Sequence, residues 1–201
     1  MKKFRLSIAA LLTAWSLAGT GVANADNGSG MGGVKVEKSE QKKVRVYTKP
    51  GTPVDVAIID ADGNVLYRGV IAKNATRSTS FNLNKLPDGQ YFLTASNSVW
   101  WMSQGLTIKG NAMNVDERNL QQLAEPALTA YDKNKFEVTL PSKNVDQATV
   151  AIYDTQNVLV ETETMKGSSR KFDLSSLPAG AYTFVVGPSQ KQFVSRIDVR
   201  H

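Results

Sequence analysis

The chain has 201 residues, with 24 Lys+Arg, 18 Asp+Glu, one His and no Cys. Without Cys there is no disulfide, thiolate nucleophile or cysteine-held metal, and a single His at position 201 leaves no imidazole cluster and no ordinary Ser-His-Asp triad. With 41% hydrophobic and 21% charged residues the composition is that of a globular protein of one large or two small domains, and neither cofactor nor metal is expected.

In chain order, Lys2, Lys3 and Arg5 precede an apolar run from Leu6 to Ala18, and Ala23-Asn24-Ala25 supplies small residues before Asp26. This is the layout of a cleavable secretory signal over 1–25, and the apolar run is too short for the roughly 20 residues that span a bilayer. The mature chain is therefore expected to be exported to the periplasm, cell surface or medium, with no transmembrane anchor. Residues 1–25 hold three bases and no acid, so half of the +6 net charge leaves with them and +3 remains. The remaining bases, such as Lys42, Lys43, Arg45, Arg170 and Lys171, lie beside strands and are not interleaved with stacking aromatics. They read as solvated faces or edge-strand protection, and no nucleic-acid partner is expected. The Gly-rich stretch 26–33 reads as a flexible leader.

From there the apolar period is two, which specifies strands rather than helices. In a first copy, 34–110, strands are predicted near 34–37, 42–47, 54–59, 64–71, 77–83, 90–96 and 102–109. A linker over 111–126 follows, in which Asp116 and the helix formers after it predict at most two helical turns. A second copy, 127–201, gives strands near 127–131, 135–140, 147–153, 157–164, 170–174, 181–186 and 192–199. The copies superpose at a constant offset of 91 from Phe81-Asn82-Leu83 on Phe172-Asp173-Leu174 through to Leu106-Thr107-Ile108 on Ile197-Asp198-Val199. The fold class is therefore all-β, two tandem small immunoglobulin-like sandwiches.

Each copy carries Leu-Pro-x-Gly-x-Tyr: Leu86, Pro87, Gly89 and Tyr91, then Leu177, Pro178, Gly180 and Tyr182. Pro presets the turn, Gly is expected to accept a left-handed conformation, and the Tyr hydroxyl is expected to bond back to the corner backbone as a tyrosine corner. Leu93 and Phe184 stand where antibody-type domains place a Cys. With Val150–Asp154, the run Phe172–Val186 and a last strand ending in Arg200-His201, the second copy resembles the C-terminal sorting domains of the type IX secretion system of Bacteroidetes-type bacteria. That resemblance implies a domain that carries cargo across the outer membrane, with Leu177, Pro178, Gly180 and Tyr182 building the corner and the strand from Phe193 to Arg200 presenting the signal. The implied partner is an envelope or secretion-machinery protein.

Three roles follow: an exported, non-enzymatic structural or interaction protein, a sorting role for the second copy, or glycan or protein binding through Trp100 and Trp101. The last expects one of the two neighbouring rings to face solvent. Asp60-Ala61-Asp62-Gly63-Asn64 has the opening of a calcium loop but lacks the later bidentate Glu, so it reads as a hairpin. Glu161 and Glu163 would share a strand face as exposed acids, with no cleft to make them a catalytic pair.

Overall fold

A computed structural model describes residues 33–49, 51–73 and 78–201. The expected signal at 1–25 and the leader up to residue 32 lie outside the described residues. The chain divides into two compact units, one reaching Asn97 and including Trp101–Leu120, the other made of Ser98–Trp100 and Gln121–His201.

In the first unit the strands are β1 (Lys35–Lys38), β2 (Lys43–Tyr47), β3 (Val54–Asp60), β4 (Val65–Ile71), β5 (Ser78–Asn82), β6 (Gly89–Ser96) and β7 (Trp100–Lys109). They are followed by β8 (Ala112–Ala124), which is shared between the units. One sheet has the order β1-β2-β5, and the other runs β8-β7-β6-β3-β4. Alternate residues point inward: Val44 and Val46, Val56 and Ile58, and Leu93 are at most 1% exposed. Tyr67 of one sheet meets Phe81 of the other edge to face, with centroids 5.6 Å apart.

The second unit repeats this plan with β9 (Ala127–Asp132), β10 (Lys135–Thr139), β12 (Ala148–Tyr153), β13 (Leu159–Met165), β14 (Ser169–Asp173), β15 (Gly180–Gly187) and β16 (Phe193–Val199). A two-residue strand, β11 (Ser142–Lys143), pairs with the end of β8 at Leu123 and Gln122. The sheets are β14-β10-β9 and β13-β12-β15-β16. Phe184 of β15, fully buried, meets Phe172 and Phe136 of the facing sheet at 5.7 and 6.3 Å. In both units the fourth strand of the repeat pairs with the third rather than the fifth, so each repeat is an immunoglobulin-like sandwich of three strands against four, to which β8 adds a further strand in the first unit. Leu93 and Phe184, at the positions of the absent cysteines, are both 0% exposed, and packing fills that place.

The expected strands recur within one or two residues, but the expected helical turns do not. Asp116–Leu123 lies in the 13-residue strand β8. Gly110, at φ 57°, and Asn111 form a two-residue turn that sends the chain back beside β7. The Asp88 carboxylate fixes that turn by accepting the Gly110 N–H at 2.8 Å. Helix propensity over this segment is a few tenths of a kcal/mol per residue, less than the row of main-chain bonds that the edge of β7 offers.

Candidate functional site: two corners and a terminal strand

Each corner is built by the same local steps. Asn82 and Asp173 accept the N–H two residues on, Asn84 and Ser175, at 3.0 Å. The chain then turns so that the Leu86 N–H reaches the Leu83 carbonyl, and the Leu177 N–H the Leu174 carbonyl, at 3.0 Å. Leu83 and Leu174 are fully buried plugs beneath the turn. The Tyr91 hydroxyl donates to the Pro87 carbonyl and the Tyr182 hydroxyl to the Pro178 carbonyl, both at 2.9 Å. Burial pushes the Tyr91 hydroxyl up from its ordinary pKa, with the Asp60 and Asp88 carboxylates adding to the shift. The glycines depart from expectation: Gly89 is not at positive φ, and Gly180 at 158° lies near the extended limit. Neither corner uses a left-handed glycine.

The carbonyl of the Leu that opens each Leu-Pro corner marks where the copies diverge. In the first unit the Leu86 carbonyl accepts from the Lys42 ammonium at 3.2 Å. Lys42 is only 8% exposed, so it is not the solvated base expected, and Lys43 and Arg45 lie on the central strand β2 rather than on an edge. In the second unit the matching Leu177 carbonyl is 2.9 Å from His201 Nε2. The end of β16 is held further by Asn134, in the β9–β10 turn at φ 57°. Its side-chain oxygen accepts the Arg200 N–H at 3.0 Å and its amide donates to the Arg200 carbonyl at 2.9 Å. Asn134 was not singled out from the sequence, where it marks only a turn between two alternating runs.

The other candidates resolve individually. Trp100 and Trp101 are 6% and 2% exposed, and the division between the units falls between them. The expectation that one ring faces solvent is corrected: Trp100 to Leu106 are all buried, so both faces of β7 are covered there. Asp60 spends its carboxylate inside its own hairpin, accepting from the Asn64 side chain at 2.9 Å and the Asn64 and Asp62 N–H groups at 2.8 and 3.0 Å. The Asn64 bonds, side chain first, hold its carboxyl below the usual range. Asp154 repeats this with Gln156 and Val158, and Gly63 and Asn157 take the matching positive φ of 84° and 61°. Glu161 and Glu163 stand opposite Ile152 and Val150, on the core side of the edge strand β13. Glu163 is not a free acid: Arg170 of the facing sheet grips it at 2.5 and 2.9 Å. Among the described residues no group of three or more His, Cys, Asp or Glu could hold a metal ion, and no helix is long and apolar enough to cross a membrane.

Residues 35–109 match the family described as Secretion system C-terminal sorting domain, and residues 132–200 match it again. The chain belongs to that family. Membership covers both copies of the sorting-domain fold, whereas the resemblance in the sequence covers the second alone. No curated protein matches the chain. Among solved structures it is similar to a biofilm associated protein, BSP domain, at 17% identity and TM-score 0.29, covering 83% of this chain and 29% of that one. A two fibronectin type-III domain segment of chicken tenascin gives 10% identity and TM-score 0.31, over 84% of this chain and 97% of that one. The FN1-FN3 domains of chicken CNTN1 give 11% and 0.29, over 84% and 65%. The family ties this sorting-domain chain to a secretion system.

Proposed function

We propose that this is an exported, non-enzymatic protein in which the second repeat acts as the sorting domain and the first is the folded module that travels with it. The observation that carries the reading is the difference between the two family-matching repeats at their last strand. In the first repeat β7 is covered by β8, whereas β16 is the outermost strand of its sheet among the described residues. A recognition strand has to be reachable, and of the two only β16 is. Tyr182, Asn134 and His201 then act as positioning residues that hold β16 and its flanks in register.

The same fold without a sorting step would be a tandem interaction module of the cell envelope, which both family matches also accommodate. Binding through Trp100 and Trp101 is the weaker reading, since stacking requires an exposed ring face and both rings are buried. Intact-mass measurement of the protein from cells and from medium separates the first two. Loss of the second repeat outside the cell supports sorting, and a chain that keeps both repeats in the medium and is exported without β16 sets the sorting role aside.

A further inference from the structure

We infer that the open edge of β16 is a strand-addition site, filled by an extended segment of the secretion machinery that pairs main chain to main chain as β8 does with β7 in the first unit. This rests on the sorting reading above and specifies how the second repeat is gripped.

An edge strand offers alternate N–H and C=O groups to any extended chain that can align with it, and folded proteins ordinarily blunt such edges. Within the second unit one edge of the four-stranded sheet is blunted and the other is not. β13 carries a register shift opposite Ile152/Tyr153, turns Glu161 and Glu163 toward the core side, and has Glu163 tied across the sandwich to Arg170. The equivalent edge of the first unit, β4, has its own shift opposite Ile58/Ile59. β16 has none of these devices. Its seven residues contain neither Pro nor Gly, and it runs against β15 through seven consecutive pairs with no shift. Val194 on its outer face is 60% exposed.

The first unit shows what this edge of the fold accepts. There β8 lies beside β7, the strand that matches β16 in the repeat. The occupant of the β16 edge is accordingly an extended, mostly polar segment with a few apolar residues, as β8 is. Arg196, exposed on the outer face, favours a segment bearing an acid opposite it, while Asp198 is already paired with Arg200 at 3.1 Å. A second copy of this chain pairing edge to edge is the competing occupant.

The test uses the full chain in a host that has the secretion system, comparing exported fraction, melting midpoint and sedimentation. Val194→Lys places an edge-blocking charge on an exposed position, and Val160→Lys does the same on the blunted edge β13. Ser195→Pro and Arg196→Pro remove adjacent N–H groups, of which only one faces away from β15, so one of the two leaves the sheet intact. Deleting Phe193–His201 tests the sorting reading itself. Strand addition predicts that V194K and the fold-neutral proline lower export by about tenfold or more at an unchanged melting midpoint, while V160K exports as the parent. If those variants export normally and the deletion does not, strand addition is overturned and sorting stands. Normal export of the deletion overturns both. A parent dimer that V194K dissociates overturns the heterologous occupant in favour of a second copy.

Discussion

Tyr182 and Tyr91 show how much of a corner depends on one hydroxyl. Each ring is at most 5% exposed and each hydroxyl meets a proline carbonyl at 2.9 Å. Tyr182→Phe keeps the ring and removes the donor to the carbonyl of Pro178, an exposed residue whose carbonyl can turn to water, so urea unfolding should show a loss of about 1 kcal/mol or less. Gly187 is constrained in another way. It sits at φ 148°, and a Cβ there would lie 2.1 Å from the Lys191 carbonyl oxygen in the turn that leads to β16. Gly187→Ala should therefore cost about 2 kcal/mol or more, measured by thermal melting, because the obstacle is backbone and cannot swing away. The turn and the Tyr-to-Pro bond of each corner were legible from residue types, since those contacts are local, whereas the Lys42 and His201 contacts to the corner carbonyls, 44 and 24 positions away, were not. The Asn134 clamp was not, because its partner is 66 positions away and a turn Asn announces nothing about a distant strand.

At the scale of elements, the strands were legible because buried and less buried residues alternate in β2, in β3 and along most of β15, as a half-buried sheet requires. β8 was missed because Glu117, Arg118, Leu120, Gln121 and Gln122 are good helix formers, and that outweighed the Gly110-Asn111 turn flanked by Ile108 and Met113. A strand whose identity comes from pairing more than from propensity should be loosened by its turn. Asp88→Ala removes the acceptor of the Gly110 N–H, and hydrogen exchange should rise along the first half of β8 while the amides of β3 and β6 keep their protection. The Glu163–Arg170 pair closes the open side of the second sandwich but is half solvated, with side chains 31% and 54% exposed. A double-mutant cycle should return about 0.5 kcal/mol, falling with added salt.

For the whole molecule, acid is the sharper test of what holds the two units. Glu37, beside Lys35, and Asp60 in the first unit are held below the ordinary carboxylate range. So are Asp132, chiefly by the Lys133 N–H, and Asp173, chiefly by Ser175, in the second. A folded pKa lowered this way contributes stability that is present above the unfolded value of about 4 and is lost as pH falls through the lower folded value. Lys35 and Lys135 are raised by Glu37 and Asp132, so their contribution is lost only in strong alkali, as pH rises through their folded values. Urea midpoints should thus be flat near neutrality and fall below about pH 4 for both units, with Asp60→Asn flattening part of the acid slope of the first. The 66-residue span between Asn134 and Arg200 also has a consequence in time. Synthesis delivers the chain from its N-terminal side, and a contact of such long range forms late. The second sandwich therefore stays unlatched, with β10, β12 and β15 already available to collapse, until the segment carrying Arg200 arrives. The first, whose corner is braced by Lys42 and whose last strand is followed at once by its own cover, can finish without waiting.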